Sequence, residues 1–130
     1  MPASTLTGSE LDDAYFGDRD LLQVLLDLRR REGRVTFSSV AVAGGGGSRV
    51  ELERPVLVLT GLRSITSAPS TSRPETIVLT WRLSSTSSDR ATAEFTLIGD
   101  PEPVTVRFEC EGIHLEVPPP RGPRNPAPND

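Results

Sequence analysis

The segment Asp18–Gly33, DRDLLQVLLDLRRREG, decides the fold class that the sequence predicts. Its apolar residues recur at the i, i+3, i+4, i+7 spacing of one helix face, as Leu21, Val24, Leu25 and Leu28. Asp18 suits an N-cap, Arg29–Arg31 suit the C-terminal end of the helix dipole, and Gly33 suits a left-handed stop. The segment is therefore predicted to be an amphipathic helix.

After Gly33 the apolar period changes to two, which is typical of strands. In Arg34–Ala43 the apolar parity switches near Ser38–Ser39, which predicts a bulge. Val56–Leu59 is apolar on both parities, as in a strand that is covered on both faces. Pro55 just before it predicts either an edge position or a break into two strands.

The second half of the chain contains the most regular strands. Thr76–Leu83 and Ala91–Ile98 alternate between apolar and polar residues and predict an antiparallel hairpin. The residues predicted to face the core are Ile77, Leu79, Trp81 and Leu83 in the first strand and Ala91, Ala93, Phe95 and Leu97 in the second. Near the end, the apolar parity flips at Glu111–Gly112, which predicts either a bulge or a tight hairpin turn.

Together these patterns predict an α+β fold, with one N-terminal amphipathic helix packed on a mainly antiparallel sheet or sandwich of about five to seven strands. The predicted organisation is a disordered N-terminus at 1–8, a single α+β domain at 9–117 and a Pro-rich disordered tail at 118–130. The tail contains two PxxP spacings, for which a solubilising tail or linker is a simpler interpretation than an SH3-type ligand.

Composition argues against several classes of function. The chain has 130 residues, a formal net charge of −4, 14 basic residues that are all Arg, one Cys and one His. The lack of Lys rules out Schiff-base chemistry and a P-loop, and the acidic balance argues against a nucleic-acid partner. One Cys and one His cannot build an internal disulfide or a zinc site of several such ligands. No cofactor is therefore predicted.

Neither a membrane partner nor a secreted location is predicted. No window approaches the ~18 consecutive apolar residues of a membrane span, and the N-terminal residues lack the basic start and apolar run of a secretory signal. An unpaired Cys110 suits a reducing compartment. The expected location is the cytoplasm.

The residues with chemical potential have simpler structural interpretations. Cys110 shares the apolar parity of Phe108 and is expected to be an inert buried thiol, while His114 is expected to face solvent beside Glu116. The acidic residues around Asp12–Asp20 lack the ligand spacing of a calcium loop. The prediction is therefore that no residue is catalytic, cofactor-binding or metal-binding, and that the chain is not an enzyme.

The leading functional hypothesis is a small soluble protein that binds a protein partner through its surface. Its candidate interaction surface is an acidic sheet face made of Glu51, Glu53, Glu109, Glu111 and Glu116. The short closing stretch Arg107–Val117, RFECEGIHLEV, is similar to the end of some families of bacterial immunity proteins and contains no diagnostic motif. That similarity implies a toxin-neutralising protein whose acidic face receives a basic toxin.

Two other classes of function remain open. One is a small-ligand binder or enzyme with a pocket between helix and sheet, using Tyr15, Arg82 and His114. The other is a structural subunit of a phage or secretion assembly, for which an exposed apolar edge would be the sign. The cluster Arg29–Arg34, RRREGR, is expected to be a solvated helix end, with an acidic partner as the alternative. The sequence does not predict the oligomeric state.

Overall fold

A computed structural model describes residues 4–7, 11–43, 48–87 and 89–118. Most of these residues belong to strands, and one short helical turn lies at residues 11–12. The strands are β1 (Ser4–Leu6), β2 (Leu21–Asp27), β3 (Glu32–Phe37), β4 (Ser39–Ala43), β5 (Arg49–Glu53), β6 (Val56–Thr60), β7 (Ser64–Ala68), β8 (Arg73–Ser87), β9 (Arg90–Asp100), β10 (Val104–Cys110) and β11 (Gly112–Val117).

The strands form three antiparallel sheets. The first has five strands in the order β1-β11-β6-β3-β2, the second has four in the order β7-β10-β9-β8, and β4 pairs with β5 in a separate hairpin. β1 lies inside the segment 1–8, for which the sequence predicts disorder, and it pairs with β11 from Ser4 to Leu6. From residue 119 onward the predicted Pro-rich tail lies outside the described residues.

The predicted α+β class is wrong, because the segment predicted as the N-terminal helix forms a β-hairpin. β2 pairs with β3 from Leu21 opposite Phe37 to Asp27 opposite Glu32. The arginines expected at a helix end lie in the turn, where Asp27 Oδ1 accepts the N–H groups of Arg29 and Arg30 at 3.1 and 3.0 Å. Such a side-chain-to-backbone turn reverses the chain where a helix would continue.

The error has a physical cause. LLQVLL is apolar at five of six positions, so it matches the helical spacing and also both faces of a strand. Leucine favours helices intrinsically, but the hydrogen bonds and packing offered by a neighbouring strand override so small a preference. Gly33, expected as a helix stop, is buried in β3, where an added Cβ would lie 3.3 Å from Leu62 Cδ2.

The five-stranded and four-stranded sheets share one hydrophobic core. Phe37 of β3 and Phe95 of β9 are fully buried, with ring centroids 5.1 Å apart. Phe16, from the segment before β2, packs against both rings at 4.8 and 5.6 Å. Three aromatic side chains from distant parts of the chain therefore join the two layers.

The predicted irregularities mark places where the chain passes between sheets. At Ser38 the chain leaves the five-stranded sheet for the β4–β5 hairpin, and after Pro55 it returns as β6, which confirms the predicted break into two strands. At Glu111 it passes from β10 of the four-stranded sheet to β11 of the five-stranded sheet. The parity flip there is therefore neither the bulge nor the hairpin turn that was predicted, but a change of sheet.

The predicted hairpin of Thr76–Leu83 with Ala91–Ile98 is confirmed as part of β8 and β9. The β9 residues Ala91, Ala93, Phe95 and Leu97 are buried as expected. In β8 the register shifts between Val78 and Thr80, so Val78 is buried and Leu79 is 40% exposed. The prediction that Leu79 faces the core is wrong, because this bulge reverses the alternation.

Candidate functional site

Strand β2 is an edge strand of the five-stranded sheet. At Asp20 its outer edge is occupied, because Asp20 forms an antiparallel bridge with Ile77 of β8, and the Thr76 hydroxyl donates to the Asp20 carboxylate at 2.7 Å. Most of β8 pairs instead with β9. In the part of the chain that the structure describes, no strand pairs with the outer edge of β2 from Gln23 to Asp27.

The pleat of β3 determines which backbone groups of β2 face that open edge. Phe37 N donates to Pro55 O at 3.0 Å, on the side of β3 away from β2. Val35 has the same orientation as Phe37, because backbone groups alternate in direction along a strand. Val24 lies opposite Val35, so Val24, and after it Leu26, direct their N–H and C=O groups outward. β2 therefore offers a second strand two residues with free donors and acceptors.

Most side chains of β2 are exposed to solvent, like its outer edge. The exposed apolar residues of β2 and its turn are Leu22 (44%), Val24 (40%), Leu25 (53%), Leu26 (48%) and Leu28 (81%). Single exposed leucines are ordinary on a protein surface, but a cluster of them on an edge strand is not. We call this run the apolar edge.

β2 carries apolar side chains on both faces of the sheet. Val24 and Leu26 lie opposite Val35 and Gly33, on the core side of the sheet, yet they stay about half exposed. Leu25 lies opposite Arg34, on the outer side. A strand added here would therefore find apolar contacts above and below the plane of the sheet.

The other three edges of the two larger sheets are protected in familiar ways. β1 has three residues, β7 (Ser64–Ala68) is polar apart from Ile65 and Ala68, and β8 carries register shifts that interrupt its edge. Short length, polar side chains and bulges each discourage pairing with another chain. β2 has one bulge, at Leu22, and five apolar side chains, so it is the least protected of the four edges of the two larger sheets.

The structure does not bring the five candidate carboxylates onto one face. Glu51 and Glu53 lie on β5 of the small hairpin, and Glu109 lies on β10 of the four-stranded sheet. Glu111 follows β10 at the change of sheet, and Glu116 lies on β11 of the five-stranded sheet. Their role as an interaction surface stays a prediction.

Four of these carboxylates have basic partners within the chain. Glu111 lies 3.8 Å from Arg63, and Glu109 lies 3.3 Å from Arg107. The other two pairs are Glu51 with Arg19, at 2.7 Å, and Glu116 with Arg34. Internal pairing of this kind reduces the negative charge that each group presents to a partner.

Hydrogen bonds to two of these groups shift their pKa values. The Arg19 guanidinium, and after it the Ser39 hydroxyl, lowers the pKa of Glu51. His114, 3.1 Å away, and then Arg34 lower the pKa of Glu116. Both carboxylates are therefore held in the charged form.

The residues considered for catalysis are separated. Cys110 is buried in the core and its thiol donates to Ala91 O at 3.7 Å, and burial raises its pKa to about 11. His114 lies on the outer face of the other sheet, beside Glu116. A thiol with so high a pKa is a poor nucleophile.

The pocket expected between helix and sheet does not exist in that form, because its helix is a strand. Tyr15 instead packs edge-on against Trp81 at 4.7 Å, and Arg82 lies opposite Glu94 in the β8–β9 ladder, away from His114. A cavity of about 380 Å³ lies elsewhere, lined by Leu11, Asp12, Leu83, Ser84, Ser85, Ala91 and Ile113. Within the described ranges, no group of three or more His, Cys, Asp or Glu side chains could hold a metal ion.

Sequence reasoning missed the apolar edge because it assigned the same leucines to the buried face of a helix. A signal for a strand was present, since apolar residues on both parities of Leu21–Leu26, followed by Asp27 and a basic turn, also suit the first strand of a hairpin, but that pattern predicts a covered strand and not an exposed one. Comparison with protein-family models, with curated proteins and with solved structures finds no match. No helix in the described part of the chain is long and apolar enough to cross a membrane.

Proposed function

We propose that this chain is a non-enzymatic protein-binding module and that the apolar edge is its binding surface. The observation that carries the proposal is the combination of outward backbone groups at Val24 and Leu26 with four exposed apolar side chains on the same strand and a fifth in the turn that follows it. Addition of a strand to an open sheet edge is a recurrent mode of protein recognition, in which main-chain hydrogen bonds supply affinity and side chains supply specificity.

The charge distribution favours this edge over the acidic surface. Docking of a basic toxin would draw on the carboxylates at positions 51, 53, 109, 111 and 116, but four of them are already paired with arginines and the set is spread over three sheets. Binding at the apolar edge does not require any of these ion pairs to break. The cytoplasm remains the proposed location, since the buried thiol of Cys110 suits a reducing compartment.

The experiment compares three tagged forms of the chain as baits in an extract of the cells that encode it. The wild type and Ile65→Lys, which adds the same charge to the exposed edge strand β7, are expected to retain the same partners. Leu25→Lys is expected to lose them, because it places a charge in the middle of the apolar edge. Circular dichroism establishes that all three baits are folded.

Equal retention of partners by the Leu25→Lys bait would show that binding does not involve β2 and would refute the proposal. Since Leu25 is 53% exposed, the charge is accommodated without unfolding the sheet. Loss of binding by this bait and not by the Ile65→Lys bait therefore reports on the edge itself.

A further inference from the structure

We infer that the partner of the apolar edge is a second copy of this chain, paired antiparallel through β2 about a two-fold axis. The inference rests on the proposed function, since it takes β2 as the binding edge, and it names what binds there. The two five-stranded sheets would then join into one continuous sheet of ten strands.

The length of the open edge suits this arrangement. β8 occupies the outer side of β2 at Asp20, so pairing is confined to the open residues from Gln23 to Asp27. An axis at Leu25 places Leu25 opposite its own copy and Val24 opposite Leu26. These central contacts are all between apolar side chains. The outward N–H and C=O groups of Val24 in one copy would hydrogen-bond to those of Leu26 in the other.

The charges at the start of β2 are acidic. Asp18, Asp20 and Glu75 lie at this end, where Ile77 of β8 bridges to Asp20. Arg19, between the two aspartates, is committed elsewhere through two hydrogen bonds to Glu51. The start of the apolar edge therefore presents net negative charge.

Another nearby arginine also faces an acid within the chain. Arg73, two residues before Glu75, lies opposite Asp100 in the β8–β9 ladder. Glu75 is the exposed charged residue of β8 that lies nearest in sequence to Ile77, which bridges to Asp20.

The charges at the end of β2 are basic. Arg29, Arg30 and Arg31 form the turn after Asp27, and all three are exposed. Of these, Arg30 lies 3.9 Å from Asp27, which is a weak exposed pair. The turn therefore presents more positive charge than Asp27 balances.

Antiparallel pairing brings these opposite ends together. The basic turn of one copy then lies beside the acidic start of the other, with Arg29 next to the place where Glu75 emerges, and the two-fold axis repeats the contact. Parallel pairing would place the like charges of the two copies together, which is unfavourable. Charge therefore selects an antiparallel second copy.

The chain's own C-terminal segment is a poor alternative occupant. The residues from 119 to 130, PPRGPRNPAPND, contain no apolar side chain larger than proline, and their prolines have no N–H to donate to a ladder. A covering strand must supply both apolar side chains and backbone donors. A second β2 supplies both.

The test measures mass in solution by analytical ultracentrifugation across about a hundredfold range of protein concentration. The wild type and Ile65→Lys are expected to form dimers with the same Kd. Leu25→Lys and Val24→Pro, which remove the central apolar contact and one outward N–H, are expected to raise the Kd about tenfold or more. A far-UV spectrum of each variant establishes that its sheets are intact.

Charge reversal tests the antiparallel register. Arg29→Glu and Glu75→Arg are each expected to weaken the dimer, and the double variant to recover most of the loss, because it restores opposite charges at both ends of the axis. Failure of the double variant to recover any affinity would overturn the antiparallel arrangement.

Two further outcomes overturn the inference and are distinguishable from each other. A wild type that stays monomeric at every concentration refutes self-pairing. If the capture of partners by the baits still depends on Leu25, the proposed function is unaffected by that result. Dimers that persist in Leu25→Lys place the interface elsewhere. If capture is equally insensitive to Leu25, the proposed function fails as well.

Discussion

Proline substitution in β2 tests the edge strand and its orientation together. Val24 directs its N–H to the open edge, whereas Leu25, opposite Arg34, directs its N–H into the β2–β3 ladder. Proline has no N–H, so Val24→Pro removes a donor that the monomer does not use, and Leu25→Pro removes one that it does. The extra cost of proline is measured relative to alanine at the same position, which cancels the loss of the side chain.

The expected magnitudes differ clearly between the two positions. At position 24 the extra cost is under ~1 kcal/mol, because an edge strand accepts proline where no ladder bond is lost. At position 25 it is about 1–3 kcal/mol, for the lost bond and the unpaired carbonyl of Arg34. If Leu21–Leu28 formed the helix that the leucine spacing predicts, both positions would cost ~3 kcal/mol or more.

The assay is urea unfolding followed by the fluorescence of Trp81, the single tryptophan, which packs against Tyr15 and Phe16. Measurement at two protein concentrations separates dimer effects, since only the contribution of association depends on concentration. Equal costs at Val24 and Leu25 would refute the edge assignment. A larger cost at Val24 would refute the orientation derived from the Phe37–Pro55 hydrogen bond.

Three further predictions concern the core and the ion pairs. Phe95→Ala should lower the free energy of unfolding by about 3–5 kcal/mol, since the ring is fully buried between two other phenylalanines, and urea titration against Ile65→Ala as an exposed control measures it. Cys110 should react with a thiol reagent slowly in buffer and rapidly in urea, because burial raises its pKa to about 11; rapid labelling of folded protein would contradict its burial. Arg19 lowers the pKa of Glu51 in the folded protein. The stabilisation from this ion pair is therefore fully present above the unfolded-state pKa of ~4.3 and is lost as the pH falls through the lower folded-state pKa. As the pH is lowered below about 4, the melting temperature should therefore decrease less steeply in Glu51→Gln than in the wild type. The difference should correspond to the ~0.5 kcal/mol of an exposed ion pair, and identical slopes would exclude this coupling.

The candidate site lay in a stretch that the sequence marked correctly as apolar and assigned wrongly to a helix. Leu22, Leu25 and Leu26 looked like a broad helical stripe, and burial of that stripe was the natural expectation. In the structure the same residues are exposed, because β8 reaches β2 only around Asp20. Whether a strand edge is open depends on neighbours that are distant in sequence, and no local pattern contains that information.

Local alternation by itself determined the pairing of Thr76–Leu83 with Ala91–Ile98 and the inward face of β9. The inward residues of β9, such as Phe95, and the break at Pro55 follow from side-chain period and from the missing N–H of proline, and both are properties of single residues and their nearest neighbours. Only the tertiary structure decided that Leu21–Asp27 is a strand, that the chain changes sheet at Glu111, and that no strand among the described residues covers the apolar edge. The reason is energetic: the intrinsic preference of a leucine run is a few tenths of a kcal/mol per residue, and pairing with a distant strand outweighs it.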